Sequence, residues 1–384
     1  MVVYFYALVL VFFVIILGSG ELDAKNSKLA RHKALSYDAY VATKTCRTVP
    51  GLSKAQLELC YRLPNATVFA LQGLNQAVKE CQHQFQGHRW NCSSLQTRGR
   101  NPYINSMLQR GYREAAFAHA ITSAGITISI SRACSSGQLN NCGCDSKTYK
   151  MKETLSSANS LSKTDWKWGG CSHNLHYGMK FSKMFLDSRE WSEDIQSKIN
   201  LHNNKVGRMA VSNNMQLKCT CHGVSGSCEL KTCWRASPDF RVIGNTLKEK
   251  FQTAIMVDQT NLGKKKLRKF NMVKQRKRKN KNKPKQWTPR KNKHKRDLSH
   301  DLLYYEKSPS FCESDPFLDV PGTTGRSCNR SSTGPDDSCA NLCCGRGYNL
   351  VKMRRVESCR CKFVWCCRVD CETCSYEEWI SVCK

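Results

Sequence analysis

The sequence predicts an α+β, disulfide-rich protein with a helical N-terminal domain at residues 21–235 and a C-terminal domain of β-hairpins at residues 312–384. Residues 46–235 combine 12 cysteines with long stretches of helical hydrophobic spacing. The last part holds another 12 cysteines in the 72 residues from Cys312 to Cys383, too many for an ordinary hydrophobic-core domain. A length of 384 residues, 40% of them hydrophobic, suffices for about two domains.

The N-terminus predicts a secretory signal peptide over residues 1–20. Val2 to Leu17 is almost entirely apolar, and small residues follow at Gly18, Ser19 and Gly20. No Lys or Arg precedes the apolar run, so an uncleaved signal anchor stays open as the alternative. Export exposes the chain to an oxidising compartment, where an even number of cysteines favours disulfides.

Three stretches predict the helices of the N-terminal domain. Ser53–Phe85, Met107–Ala133 and Tyr177–Met209 each carry apolar side chains at helical spacing, separated by polar fillers. Three long helices favour a helical bundle, and the apolar positions are interpreted as its core.

A linker at residues 236–311 contains a basic insertion at residues 262–297. Leu262 to Arg296 holds 18 Lys and Arg and no Asp or Glu, which predicts disorder. Three interpretations stay open: heparan sulfate binding, proteolysis after Lys293-His294-Lys295-Arg296, and a solvated linker. A formal net charge of +31 excludes an acidic tail protein and favours an anionic partner. The candidate heparan sulfate contacts are Lys264, Lys265, Lys266, Arg276, Lys277, Arg278 and Lys279.

The first chemically informative stretch is a nested cysteine pattern at residues 219–233. Pairing Cys221 with Cys228 inside Cys219 with Cys233 predicts a clamped hairpin. Its tip, His222 to Ser227, is small and rich in hydroxyl groups, which makes its serines accessible to a modifying enzyme; an ordinary polar turn is the alternative.

The same tip resembles a serine-nucleophile motif only in part. Gly223-Val224-Ser225-Gly226-Ser227 follows G-x-S-x-G until the last glycine, where Ser227 stands. The bracketing cysteines also leave no room for the strand-turn-helix that such a nucleophile needs. We therefore predict no catalytic residue and no enzyme activity.

A second nested hairpin is predicted at residues 359–374, with Cys359 paired to Cys374 and Cys361 to Cys371. Cys366 and Cys367 then lie at the tip and can pair only with each other or outside the hairpin. Phe363, Val364 and Trp365 are apolar side chains at this tip, which is typical of a contact site, unless the tip folds back on the body.

Zinc is disfavoured for these cysteines. The Cys-x-Cys and vicinal pairs lack the spacing of two to four residues that zinc ligands prefer, and histidine rarely lies near them. We expect no metal. Three sequons, at Asn65, Asn91 and Asn329, are candidate N-glycosylation sites of an exported chain.

Together these segments resemble the Wnt family of secreted signalling proteins. The resemblance runs from about Cys46 to Cys383, with all 24 cysteines in the family's order. It rests on the two hairpins and on His88-Arg89-Trp90-Asn91-Cys92, Arg113-Glu114-Ala115-Ala116-Phe117, Trp168-Gly169-Gly170-Cys171 and Tyr304-Tyr305-Glu306. The subfamily numbered ten is indicated by the stretches Cys92 to Arg98, Phe185 to Glu190 and Cys344 to Asn349.

The resemblance implies a helical domain and a cysteine-knot-like domain, each sending out one hairpin to grip the cysteine-rich domain of a Frizzled receptor. Ser225 matches the serine that the acyltransferase Porcupine esterifies with palmitoleate, whereas Ser227 matches its unmodified neighbour. This covalent lipid is the only group expected, so no cofactor is predicted. The implied receptor contacts are His222, Gly223, Val224, Ser225, Phe363, Val364, Trp365, Cys366 and Cys367.

Further partners follow from the same resemblance. They are LDL-receptor-related co-receptors and, during export, the carrier Wntless. The resemblance also implies that the protein is located in the extracellular space and matrix and that it does not bind nucleic acid. At the second tip Val364, Arg368 and Asp370 depart from the family's usual residues, which leaves receptor choice through that tip open.

The family's disulfide pairing is also implied. It joins Cys366 with Cys367 as a vicinal bridge, and Cys46 with Cys60 is inferred for the remaining pair. The other implied pairs are Cys81–Cys92, Cys134–Cys142, Cys144–Cys171, Cys312–Cys344, Cys328–Cys339 and Cys343–Cys383.

Overall fold

The computed structural model describes residues 46–96, 101–145, 170–190, 192–228, 231–257, 298–334 and 337–384. It divides the chain into two units, Met1–Val68 and Phe69–Lys384. The signal peptide, the basic insertion and its seven candidate contacts lie outside the described residues. The domain boundaries drawn from the sequence therefore stay predictions.

In the first unit, helix α1 (Lys54–Arg62) begins with a capping box. The Gln56 backbone N–H donates to Ser53 Oγ at 3.2 Å, and Ser53 N–H donates to Gln56 Oε1 at 3.1 Å. The helix predicted over Ser53–Phe85 is in fact two helices, α1 and then α2 (Pro64–Gln84), which from Phe69 onward belongs to the second unit. Leu63 is non-helical because Pro64 disfavours the helical conformation of the residue before it.

The second unit is built around α3 (Arg113–Ser135), in which every residue from Glu114 to Ser131 is buried. Helices α4 (Leu175–Leu186), α5 (Ile195–Asn213) and α6 (Phe240–Gln252) contact it. The helix predicted over Tyr177–Met209 is thus two helices, α4 and α5. Asp194 caps the N-terminus of α5, and its Oδ1 accepts the Ser197 N–H at 2.7 Å. Among the described residues, no helix has the length and apolarity to cross a membrane.

Small residues let the helices approach α3 closely. At Gly73 of α2 and Gly125 of α3, an added Cβ would lie about 2.5 Å from the other helix's carbonyl oxygen. At Gly207 of α5, it would lie 1.9 Å from the Ala120 oxygen and 2.4 Å from Ser123 Oγ. Backbone-to-backbone packing at this distance leaves no room for a side chain.

Several polar side chains in this core are paired. Arg208 and Asp187 form a largely buried ion pair at 2.9 Å. The Tyr103 and Thr122 hydroxyls lie 2.8 Å apart, and His119 Nε2 lies 3.2 Å from the Leu108 oxygen. Burial, with a smaller contribution from the positive charge of Arg189, lowers the pKa of His119 to about 4.

Two short strands, one on each side of the basic insertion in the sequence, pair with each other in parallel. β1 (Gln216–Cys221) and β2 (Lys231–Ala236) form the first hairpin, and after α6 comes β3 (Ile255–Met256), which pairs with β4 (Leu303–Tyr304). The Asn203 side chain bridges both backbone groups of Leu303, at 2.9 and 3.0 Å. Residues on both sides of the insertion are therefore fixed to the helical core.

The C-terminal part is a disulfide-rich β structure. β5 (Ser327–Cys328), the short helix α7 (Cys339–Leu342), β6 (Tyr348–Val364) and β7 (Arg368–Cys383) follow in order, and the sheet order is β5-β7-β6. Cys343 Sγ lies 3.6 Å from Cys328 Sγ, so two disulfides pack together. The predicted α+β, disulfide-rich fold class is confirmed.

Eleven of the twelve expected disulfides form, including Cys46–Cys60. The vicinal bridge between Cys366 and Cys367 was wrong: both thiols are free and exposed. Adjacent residues across a trans peptide have Cα atoms about 3.8 Å apart, below the usual range for a disulfide, and in this turn both cysteines have left-handed backbones, with φ of 71° and 80°. None of the eleven bridges joins residues before the insertion to residues after it.

We expect Gly207→Ala to destabilise the protein by about 2 kcal/mol or more. Alanine gains about 1 kcal/mol over glycine in a helix, but the added methyl would collide with the α3 backbone, and overpacking exceeds that gain. Denaturant unfolding of the oxidised protein measures the change. Gly143→Ala is the matched control because nothing lies within 4 Å of its Cβ position; equal stability of the two variants would contradict the packing described.

We expect acidification to destabilise the protein through His119. Its pKa is about 4 when folded and about 6.5 when unfolded, so the unfolded chain binds more protons between these values. The free energy of unfolding therefore falls as the pH drops through this window, by about 2 kcal/mol at about pH 5 relative to pH 7. Denaturant unfolding at both pH values should show a smaller difference for His119→Gln; an unchanged difference would exclude this histidine as the cause.

Candidate functional site

The first hairpin has the predicted double clamp. In the antiparallel register of β1 and β2, Cys219 lies opposite Cys233, and their disulfide crosses the strands. The second bridge, Cys221–Cys228, closes the tip. Two covalent cross-links within fifteen residues hold the tip in one conformation relative to the strands.

The tip is a tight turn that points Ser225 outward. Gly223 N–H donates to the Ser227 oxygen at 2.9 Å, and Gly226 N–H donates to the Gly223 oxygen at 3.0 Å. Ser225 and Gly226 both have left-handed backbones, with φ of 55° and 78°. The Ser225 side chain is exposed, and its hydroxyl has no hydrogen-bond partner among the described residues. Val224 beside it is 89% exposed.

Ser227 is placed differently from Ser225. It is half-buried, and a Cβ at Gly223 would lie 1.9 Å from its Oγ, so its side chain lies against the Gly223 backbone. The turn thus exposes one serine hydroxyl to solvent and folds the other inward. Glycine is required at position 223 by this close approach.

The surroundings of Ser225 differ from those of a catalytic serine. The segment after the tip is strand β2, whereas a nucleophile elbow continues into a helix. The neighbouring His222 Nε2 lies 3.0 Å from Thr232 Oγ1 across the hairpin. The geometry therefore favours Ser225 as an accessible acceptor over Ser225 as an activated nucleophile.

The second hairpin is a long ribbon of β6 and β7 with an exposed apolar tip. Cys359–Cys374 and Cys361–Cys371 cross it, and an irregularity in register lies between Cys359 and Lys362. Val364 pairs with Arg368, which leaves residues 365–367 as the turn. Trp365 is 91% exposed and Phe363 67% exposed, so the tip does not fold back on the body. Apolar side chains held in water on a clamped tip are typical of a contact surface.

Among the exposed aromatic residues that the sequence reasoning missed, the most exposed in the described part of the chain is Phe317. Phe317 is 86% exposed, on a turn closed by the mutual Asp315–Val320 backbone hydrogen bonds. Asp315 Oδ1 also accepts the Phe317 N–H at 2.9 Å, and Asn105 Nδ2 donates to Asp319 Oδ2 at 2.7 Å. The signal that could have found it is an aromatic residue inside an Asp-Pro turn.

The sequons occupy different environments. Asn65 and Asn329 are exposed, and Asn91 is half-buried. Cys328, Cys343 and Cys383 bring their sulfur atoms within 4.8 Å of one another, but all three are in disulfides and offer no thiolate to a metal.

Comparisons with known proteins agree with the fold. A sequence model described as the wnt family matches residues 48–384. The structure is similar to a chain of the complex of human WLS with WNT8A, with a TM-score of 0.55 and 32% sequence identity, covering 83% of this chain and 94% of that one. The N-terminal domain and linker of Drosophila WntD gives a TM-score of 0.39 at 19% identity, covering 64% of this chain and 98% of that one.

Proposed function

This chain belongs to the Wnt family of secreted signalling ligands, and we propose that it is a lipid-modified ligand of Frizzled receptors. The observation that carries the proposal is the pair of clamped hairpins, one ending in an exposed serine and the other in exposed Trp365. The ligand would grip the cysteine-rich domain of the receptor with both tips and direct cell fate in development. LDL-receptor-related proteins would be its co-receptors.

Ser225 is the proposed acceptor of palmitoleate, transferred by the acyltransferase Porcupine. Its hydroxyl is free among the described residues, whereas Ser227 is turned inward. Burying an acyl chain is worth about 0.8 kcal/mol per methylene, or about 11 kcal/mol for a chain of this length. A receptor groove can gain much of this free energy.

Water cannot solvate such a chain, so export needs a carrier, for which we propose Wntless. The similar WNT8A forms a complex with human WLS, which supports this proposal. The other finer proposals are membership of the subfamily numbered ten, N-glycans at Asn65, Asn91 and Asn329, and retention in the extracellular matrix.

A second function is favoured by the basic insertion. From Leu262 to Arg296, eighteen cations without one acidic residue fit a heparan sulfate chain, because neutralising fixed anions releases counterions much as on DNA. This would keep the ligand in the matrix near its source. The role would be separate from receptor binding, since the tips carry the latter.

Ser225→Ala should fold and keep its eleven disulfides but leave the cell poorly and fail to signal. The hydroxyl has no hydrogen-bond partner among the described residues, so its loss removes only the acyl acceptor. Intact-peptide mass spectrometry of residues 219–231 should find a mono-unsaturated C16 adduct on the wild type and on Ser227→Ala but not on Ser225→Ala. Normal signalling from Ser225→Ala would contradict the proposal that Ser225 carries the lipid.

Trp365→Ala should weaken binding to a Frizzled cysteine-rich domain by about tenfold or more, as for a buried aromatic anchor at an interface. Surface plasmon resonance with the acylated, secreted protein measures the affinity. Trp379→Ala is the matched control: Trp379 is 64% exposed on the same ribbon but away from the tip. Equal affinities for the two variants would rule out the tip as the contact.

A further inference from the structure

The two strands of the exposed ribbon differ in charge. Strand β6 contains five Lys and Arg side chains and one carboxylate, whereas β7 contains one Arg and four carboxylates. The carboxylates of β7 are Asp370, Glu372, Glu377 and Glu378. An acidic strand is therefore exposed on a chain whose formal net charge is +31.

One tyrosine, Tyr376, lies within this acidic strand. The five residues on each side of it, within residues 371–381, contain three carboxylates and no Lys or Arg. None of the other tyrosines among the 13 in the chain has three carboxylates within five residues. The sequence around Tyr376 is thus unlike that around any other phenol of this basic protein.

The fold leaves Tyr376 accessible. Its side chain is on a ribbon whose two faces are both exposed, and 42% of its surface is exposed. Strand β7 pairs with β6 along one edge, but with β5 only at Ser381 and Val382. At Tyr376 the other edge of β7 has no strand partner among the described residues, so a second protein can add a strand there. An enzyme can therefore reach both the phenol and the backbone around it.

The charges that surround Tyr376 are held in exposed ion pairs. Tyr376 lies opposite Arg355 in the register of β6 and β7, which places both side chains on one face of the ribbon. Arg355 contacts Glu357 at 2.7 Å and Glu378 at 3.7 Å. Exposed pairs of this kind contribute only about 0–1 kcal/mol, so the charges of a partner can replace them. Arg355 is then available as the counter-charge of an anion on the phenol.

The phenol of Tyr376 is protonated before any reaction. Desolvation, and then a hydrogen bond to the Glu357 carboxylate, raise the pKa of Tyr376 above its ordinary value. The ordinary value is already about 10, so the phenol keeps its proton at physiological pH. A reaction at this oxygen needs a base that takes the proton.

We propose that Tyr376 is a tyrosine-sulfation site. The phenolic oxygen attacks the sulfur of 3′-phosphoadenylyl sulfate and forms a new O–S bond, while the bond from sulfur to the phosphate oxygen breaks. Adenosine 3′,5′-bisphosphate leaves with the electron pair, and a base of the sulfotransferase takes the phenolic proton. Because the sulfate donor is an anion, the enzyme that binds it needs a cationic cleft, and the carboxylates beside Tyr376 are complementary to such a cleft.

The site goes beyond the receptor-ligand function. It requires only that the chain is exported, as in the secreted family to which it belongs. It uses neither the acyl group at Ser225 nor the apolar tip at Trp365. The product is a permanent negative charge on the ribbon, opposite Arg355.

The test uses full-length protein secreted by cultured cells that are fed sulfate labelled with radioactive sulfur. After reduction, alkylation and trypsin digestion, residues 369–384 form one peptide in which Tyr376 is the only tyrosine, and residues 347–352 form another that contains Tyr348. Tyr348 is the matched control because it is 40% exposed on the same ribbon but has two cations and no carboxylate within five residues. We expect the label and the mass of one SO3 group on residues 369–384 and on neither form of residues 347–352.

Two single variants assign the acceptor. Tyr376→Phe should remove the label from residues 369–384, and Tyr348→Phe should leave it unchanged. An unlabelled 369–384 peptide, from cells that sulfate a co-expressed tyrosine-sulfated protein, overturns the proposal. So does an adduct that a phosphatase removes, since that outcome assigns the strand to a kinase. Label that persists in Tyr376→Phe also overturns it.

A pair of double variants tests recognition by the acidic residues. Glu377→Gln/Glu378→Gln should lower the sulfated fraction of residues 369–384 by about fivefold or more, because charge complementarity to the enzyme is lost. Glu58→Gln/Glu249→Gln makes the same change in charge at exposed positions of α1 and α6 and should keep the wild-type fraction. Equal fractions in the two variants contradict recognition of this strand by its charge. The label is measured on the chain itself, so failure of the receptor proposal would not alter the result.

Discussion

The close packing of helices against α3 is the constraint on which the rest of the structure depends. Side chains are absent at Gly73, Gly125 and Gly207, and the backbones meet almost directly. This fixes where α2 and α5 lie, and the first hairpin follows directly on α5. The position of the Ser225 tip is therefore set in part by glycines far from it in the sequence.

The disulfides stabilise individual parts of this helical framework and of the two hairpins. They clamp both tips and pack together at the base of the ribbon, where Cys343 lies beside Cys328. A two-stranded ribbon exposed on both faces is marginally stable by itself, so the two bridges across β6 and β7 replace the core that it lacks. The exposed side chains at the two tips take no part in a core and are therefore available for contact with a partner.

The nested cysteines predicted both hairpins and the sites of exposed chemistry, because pairing across two strands leaves few alternatives. Helix lengths were predicted less well, since Pro64 and the Asp194 cap interrupt patterns whose hydrophobic spacing continues past them. The free thiols of Cys366 and Cys367 were missed because cysteine order says nothing about the backbone at the turn. Phe317 was missed although its turn is local, because an Asp-Pro turn indicates the bend in the chain but not that the aromatic side chain stays exposed.

The parallel pairing of β3 with β4 has a consequence for how the linker can vary. The two strands and the Asn203 bridge fix the described residues on either side of residues 258–297, and that stretch contains no cysteine. Closing a flexible loop costs only about 0.6 kcal/mol more for each doubling of its length. Evolution, or an engineer adding a tag or a fluorescent domain, can therefore lengthen this segment with little effect on the folded body.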